Sequence, residues 1–132
     1  MLKIPSDISE SMLEHAKADF PFECCGLLAG KGDEVSHIYR MSNTDKSKVT
    51  YLMEPAEQMR VFKEMRSLEL ELKAIYHSHP NHPAWPSLTD VELAYYPEAV
   101  YIIISINDSR ETEVGSFRII NKEITVEDID LR

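Results

Sequence analysis

The residues best suited to chemistry lie in one short stretch, His77-Ser78-His79-Pro80-Asn81-His82-Pro83-Ala84-Trp85-Pro86-Ser87-Leu88-Thr89-Asp90. An apolar run from Leu72 to Tyr76 leads into two histidines spaced i, i+2. On an extended backbone that spacing turns both imidazoles to the same side. Seven residues follow, three of them proline, before a Ser-x-x-Asp that reads as a helix start. Two ring nitrogens from a strand end and one carboxylate from the next helix would make three corners of a tetrahedron. The fourth corner is left to water, which is how catalytic zinc sites are built. A borderline ion such as Zn²⁺ accepts one hard oxygen beside two neutral imidazoles. The same residues also have plainer readings: solvated histidines at a strand end, and a capping box in which Ser87 and Asp90 cap the helix N-terminus. On that geometry Asp90 serves as metal ligand or as cap acceptor, and not easily as both.

Three protein ligands still need a general base to activate water. Glu23 is the candidate, because it stands directly before Cys24-Cys25-Gly26-Leu27-Leu28-Ala29-Gly30. That run of small and apolar residues suits a buried strand, where a solvated surface charge, the competing reading, is less expected. Ser87, one turn from Asp90, has a hydroxyl that can donate to a developing oxyanion. His82 reads as a solvated loop residue. Trp85 either walls a substrate groove or packs the loop.

The elements that must position these groups follow from pattern. Pro5-Ser6-Asp7 predicts a helix start with Ser6 or Asp7 as cap and Glu10 closing a box, the helix running to about Ala18 and stopped by Pro21. Strands are expected over Cys24–Gly30 and Glu34–Met41, with a turn between them and a loop from Ser42 to Val49. Thr50–Met53 suits a short strand. Pro55 opens an amphipathic helix whose apolar face is Val61, Met65, Leu68 and Leu72. Strand Leu72–Ser78 then delivers the histidines, and a third helix runs from Ser87 to about Tyr96, stopped by Pro97. Val100–Ile106 is apolar throughout, as a central strand covered on both faces would be. Val114–Ile120 and Glu123–Val126 pair through a tight turn, and the tail from Glu127 is expected to fray. This order predicts an α/β chain with one mixed β-sheet and helices packed against it.

Three pieces together carry a resemblance: Pro21-Phe22-Glu23-Cys24-Cys25-Gly26-Leu27-Leu28-Ala29-Gly30, then His77-Ser78-His79-Pro80, then Ser87-Leu88-Thr89-Asp90. They resemble the JAMM/MPN family of zinc metalloproteases, whose pattern is a glutamate, a distant His-[Ser/Thr]-His-Pro and, seven residues after the second histidine, Ser-x-x-Asp. Tyr51-Leu52-Met53-Glu54-Pro55 and the apolar run ending in Ser105 also fall where that family has theirs, so the likeness covers nearly the whole chain. It implies a cytidine-deaminase-like α/β sandwich with Zn²⁺ on His77, His79 and Asp90. Glu23 would be the general base and Ser87 the oxyanion donor. The compact prokaryotic members it most resembles cleave an amide after the C-terminal Gly-Gly of a ubiquitin-like sulfur-carrier protein. The alternative is a non-catalytic MPN-type scaffold, which would lack ligands that are present here. A zinc deaminase would need His-x-Glu and Cys-x-x-Cys, and neither occurs.

Composition agrees with this reading. The 132 residues suit one domain, residues 1–132, and the net charge of −9 without a Lys/Arg cluster disfavours nucleic acid. No apolar run is long enough to span a bilayer and no signal-peptide pattern opens the chain, so a cytoplasmic protein is expected. Cys24 and Cys25 are adjacent and have no third cysteine, which predicts reduced thiols, with Cys25 serving as packing and not as a nucleophile.

Overall fold

The computed structural model describes all of Met1–Arg132. In chain order the elements are β1 (Leu2–Ile4), α1 (Ser6–Asp19), β2 (Cys25–Lys31), β3 (Glu34–Met41), α2 (Pro55–Ser67), β4 (Glu71–Pro80), α3 (Leu88–Glu92), β5 (Val100–Ile106), β6 (Thr112–Ile120), β7 (Glu123–Val126) and β8 (Ile129–Leu131). The eight strands make one mixed sheet, ordered β7-β6-β5-β4-β2-β3-β1-β8. β5 lies parallel to β4 at its interior, with β2 antiparallel on β4's other side.

Side chains alternate across the strands and feed two apolar clusters. On one face Ile8, Met12 and Ala16 of α1 meet Leu28, Tyr76, Ile102 and Ile104. On the other, Leu27, Ile75, Tyr101 and Ile103 form a cluster against which Val61 and Phe62 of α2 pack. Each such side chain, fully buried, contributes roughly 1.5–3 kcal/mol. β7 and β8 are at opposite ends of the strand order, yet only Glu127 and Asp128 separate them in sequence. Three Cα steps reach about 11 Å at most, so the sheet must curl until its two edges nearly meet. The hollow of that curl holds α1, which is further tied to β4 by a 2.7 Å hydrogen bond between His15 Nδ1 and the Tyr76 hydroxyl. The Tyr76 ring lies over Gly26 of the neighbouring strand, where any Cβ would overlap it.

The expected mixed sheet with helices on both faces is present, with several local departures. Residue Ser6 is already helical and Pro5 is the N-cap, with no side-chain cap bond, so the predicted Ser6/Asp7 box does not form. Thr50–Met53 is not a strand; its only pairing is an isolated bridge between Asn43 and Met53. Helix α2 stops at Ser67, leaving Leu68 exposed and Leu72 in β4. The stop is a hydrogen-bonded one. Leu70 N–H donates to Met65 O and Glu69 N–H to Arg66 O, with Glu69 in the left-handed region at φ 57°. This is the Schellman arrangement, with glutamate where glycine is favoured. The third helix ends at Glu92 instead of near Tyr96. The tail does not fray, because β8 pairs in parallel with β1, a strand that the pattern gave no sign of. Asn121 and Lys122, at φ 52° and 65°, make the tight β6–β7 turn as expected. No helix is long and apolar enough to cross a membrane.

The Glu69 conformation yields a test. A left-handed non-glycine residue costs on the order of 1 kcal/mol, partly offset by the greater unfolded-state freedom of glycine. Glu69→Gly should therefore stabilise the fold by about 0.5–1 kcal/mol, read as a higher denaturation midpoint with an unchanged m-value.

Candidate active site

The pairing of β2 with β4 assembles most of the site. Cys25 stands opposite His77, and beyond it Ser78 N–H donates to Cys24 O at 3.1 Å while Cys24 N–H donates to Ser78 Oγ at 2.8 Å. Continuing that register places Glu23 across from His79. Alternation then puts Glu23, His77 and His79 on the same face as Cys25 and Ile75, and Ser78 on the other. All three are buried, Glu23 at 2% exposure, so the surface-charge reading of this glutamate does not hold.

After β4 the chain doubles back through Asn81–Pro86. Three bonds shape this return: Asn81 N–H to Ile106 O, the Ser105 hydroxyl to His82 O, and His79 Nδ1 to Pro83 O at 2.9 Å. The last makes Nδ1 the protonated nitrogen of His79 and leaves the Nε2 lone pair free. α3 then begins with a complete capping box. Ser87 Oγ accepts from Asp90 N–H at 3.1 Å, and Asp90 Oδ2 accepts from Ser87 N–H at 2.9 Å. The same Oδ2 lies 3.2 Å from His77 Nε2 and 3.0 Å from His79 Nε2, and the two nitrogens are 3.0 Å apart. The Asp90 carboxylate oxygen thus accepts the cap bond and still faces both imidazoles, so capping the helix does not bar it from holding a metal ion. The cap bond uses one lone pair of Oδ2, and the other faces the imidazoles.

His77, His79 and Asp90 form a group that can hold a metal ion. Lone pairs of three atoms turned on one point suit a cation. Their 3.0–3.2 Å spacing is near the roughly 3.3 Å that tetrahedral bonds of about 2.0–2.1 Å require. Burial holds the His77 imidazole below its usual pKa, hence neutral. For His79 burial pulls the same way, but the Asp90 carboxylate and the Pro83 carbonyl outweigh it. For Asp90 burial works against ionisation, and the two imidazoles overcome it, holding the carboxyl far below the usual range.

Glu23, His79 and Ser87 line one cleft of about 330 Å³ with Val49, His82 and Trp85. Burial pushes the Glu23 carboxyl up to about 8, with His79 pulling it down and Asp90 adding to the rise. Its Oε1 is buried with no hydrogen-bond partner. A carboxyl group poised near neutral pH, with one oxygen free, is what a proton-transfer role requires. Trp85 combines both of its readings: it packs edge-to-face on Phe117 at 5.1 Å between centroids, and half of it stays exposed along the cleft. His82 is exposed, as expected. The two cysteines are free and fully buried. Burial raises both thiols, Cys24 to about 12, which leaves no thiolate for nucleophilic work. A second cleft of about 260 Å³, mostly apolar, is lined by Asp90, Tyr51, Phe62 of α2 and Leu93, Tyr95 and Tyr96.

Two supporting contacts escape a reading of the sequence, although Tyr51 itself lies in a stretch that the family resemblance covers. Asn43, in the stretch expected only to be a polar loop, donates from Nδ2 to Glu23 O and Thr50 O, both at 3.1 Å, and accepts at Oδ1 from Asp45 and Leu52 N–H. The Tyr51 ring lies against His77, tilted, with 4.6 Å between ring centroids. The only signal for Asn43 was that asparagine favours turns that satisfy backbone groups, which does not say that one of those groups belongs to Glu23.

A family model for prokaryotic homologs of the JAB domain matches residues 5–120. A CysO-cysteine peptidase of Mycobacterium tuberculosis is 35% identical, the alignment covering 99% of this chain and 91% of that protein. A desampylase of Haloferax volcanii is also 35% identical, over 79% of this chain and 80% of its own length. The solution structure of a Desulfitobacterium hafniense protein superposes with a TM-score of 0.87 at 36% identity, covering 100% of this chain and 93% of that one. Relatives named as peptidases over nearly the whole length remove the non-catalytic scaffold as a reading. The chain belongs to the prokaryotic homologs of the JAB domain, the compact branch of the JAMM/MPN family, and is a hydrolase of peptidase type.

Proposed function

We propose that the 132 residues act as one zinc-dependent peptidase domain that cleaves the amide bond following the C-terminal Gly-Gly of a ubiquitin-like or sulfur-carrier protein. The observation that carries this reading is the convergence of His77 Nε2, His79 Nε2 and Asp90 Oδ2 beside a buried glutamate with an unpartnered oxygen. Two nitrogens and one carboxylate oxygen favour Zn²⁺ over harder ions that prefer all-oxygen sites. The substrate class rests on relatives whose names are CysO-cysteine peptidase and desampylase.

Zn²⁺ on these three side chains would act as a Lewis acid and bring water into the pKa range where it ionises near neutral pH. Glu23 would hold the attacking water in the cleft and take its proton as the water oxygen adds to the carbonyl carbon, then give that proton to the departing amine as the C–N bond breaks. Ser87 Oγ accepts from the Asp90 N–H through a lone pair, so its own hydroxyl hydrogen is free to donate to the carbonyl oxygen as that atom gains charge. His79, held by Pro83 O, and Asp90, held by the Ser87 N–H, keep their orientations through the cycle. Trp85 and Val49, in the cleft shared with Glu23, would lie beside the leaving side of the scissile bond, because Glu23 protonates the amine there.

Purified protein should contain about one Zn²⁺ per chain by elemental analysis, as a site with three protein ligands implies. Incubated with a sulfur carrier extended beyond Gly-Gly, it should release a carrier whose mass ends at that dipeptide. Glu23→Gln should lose turnover by at least about 10²-fold while zinc stays bound; retained hydrolysis would remove the base assignment. Ser87→Ala, which breaks the cap as well, should lower kcat by about 10²–10³-fold if the hydroxyl donates to the oxyanion. Zinc-free protein with all three ligands intact would overturn the reading as a whole.

A further inference from the structure

The segment between β3 and α2 touches both halves of the site, and neither contact belongs to the reaction as described above. Glu23 is gripped by its backbone: its N–H donates to Ser47 O at 2.8 Å, and its carbonyl accepts from Asn43 Nδ2. The amide orientation of Asn43 is unambiguous, because Oδ1 faces two N–H donors and Nδ2 faces two carbonyls. The same amide fixes the backbone on both sides of Tyr51, at Thr50 O and Leu52 N–H. Tyr51 in turn lays its ring against His77, tilted by 30°. The segment is anchored at its two ends. Glu57 accepts from Ser42 N–H at 2.7 Å and from the Ser42 hydroxyl at 2.8 Å, and Glu54 caps α2 through Ala56 and Glu57 N–H.

What gives this arrangement a role is the contrast between the two histidines. A ligating imidazole is normally oriented by a hydrogen bond from its second ring nitrogen. His79 has that bond, to Pro83 O. His77 does not, since its Nδ1 is buried with no partner. Packing is left to fix the ring: His79 meets it edge-on at 4.9 Å between centroids, and the Tyr51 ring covers its face at 4.6 Å. We propose that Asn43 and Tyr51 are positioning residues, one clamp that sets the base Glu23 and the ligand His77 in a common frame. The proposal rests on the zinc reading above and deepens it by naming what holds that site in register.

The two arms of the clamp predict separable effects. Tyr51→Leu should weaken Zn²⁺ binding by about 10-fold or more, the scale of losing a ligand's orienting contact, measured with the metal alone by competition against a chelating dye. Tyr51→Phe keeps the ring and should bind zinc like the parent chain. Asn43→Ala releases both the Glu23 carbonyl and the backbone flanking Tyr51, so it should weaken Zn²⁺ binding by no more than Tyr51→Leu does. At saturating Zn²⁺ it should still lower kcat by about 10-fold or more with KM little changed, because the base is no longer held. Thermal unfolding of each variant shows whether it is folded. If Tyr51→Leu is folded and holds zinc as tightly as the parent, or if Tyr51→Phe loses as much affinity as Tyr51→Leu, the role of Tyr51 is wrong. If folded Asn43→Ala keeps full kcat at saturating Zn²⁺, the role of Asn43 is wrong. A parent chain that binds no zinc would overturn the underlying reading and this one with it.

Discussion

The pair of bonds exchanged between Cys24 and Ser78 is the constraint on which the site's geometry depends. β2 and β4 are central antiparallel neighbours, and the side-chain period along each is two. A slip of one residue in their register would therefore turn Glu23 away from the histidines. Ser78 stands between the two histidines and points to the opposite face, where its hydroxyl accepts the Cys24 N–H. The strand pairing thus continues one residue past the last ladder pair through a side chain, and it does so at the step that carries Glu23 into place. The large apolar side chains on both faces make the register costly to change, and Tyr76 seated over Gly26 pins it from the α1 side.

Asp90 solves a different problem. A carboxylate facing two imidazoles must be held rigidly, yet it sits on a helix of only five residues, Leu88–Glu92. Such a helix has little intrinsic stability, so its first turn must be fixed by something else. Here the fixing group is Asp90 itself, through the reciprocal bonds with Ser87. The cap that starts the helix and the carboxylate that faces the two imidazoles are one side chain, so the helix cannot loosen without that carboxylate moving. This also explains why Ser-x-x-Asp alone does not distinguish structure from function: both readings demand the same two residues at the same spacing.

Much of this was legible in the sequence because it depends on local period and motif. The β5 boundaries at Val100 and Ile106, the β2–β3 hairpin and the His77/His79 pair follow from side-chain alternation and spacing. What was not legible depends on partners distant in the chain. β8 carries no strand signal of its own strength; it forms because the curled sheet brings β1 beside it. The stop of α2 at Ser67 is invisible to periodicity, because Leu68 and Leu72 continue the apolar spacing while Glu69 breaks the backbone in the left-handed region. Asn43 is the clearest case. Its four hydrogen bonds reach groups on both sides in sequence, including the Glu23 carbonyl twenty residues away, and no local pattern encodes that contact.

Two buried side-chain atoms of the site, Glu23 Oε1 and His77 Nδ1, have no hydrogen-bond partner. Leaving such an atom unsatisfied costs about 1–3 kcal/mol, a large fraction of the net stability of a small domain. A sequence selected only for stability would replace Glu23 with an apolar residue, since burial alone drives its carboxyl toward the neutral form. Instead the fold spends packing around it: the Cys24–Ser78 pairing on one side, Asn43 and Ser47 on the other. These contacts satisfy the backbone of Glu23 fully and leave its carboxyl free. That division, with the main chain held at both ends and one carboxyl oxygen left unpaired, fits the proton-transfer role proposed for Glu23.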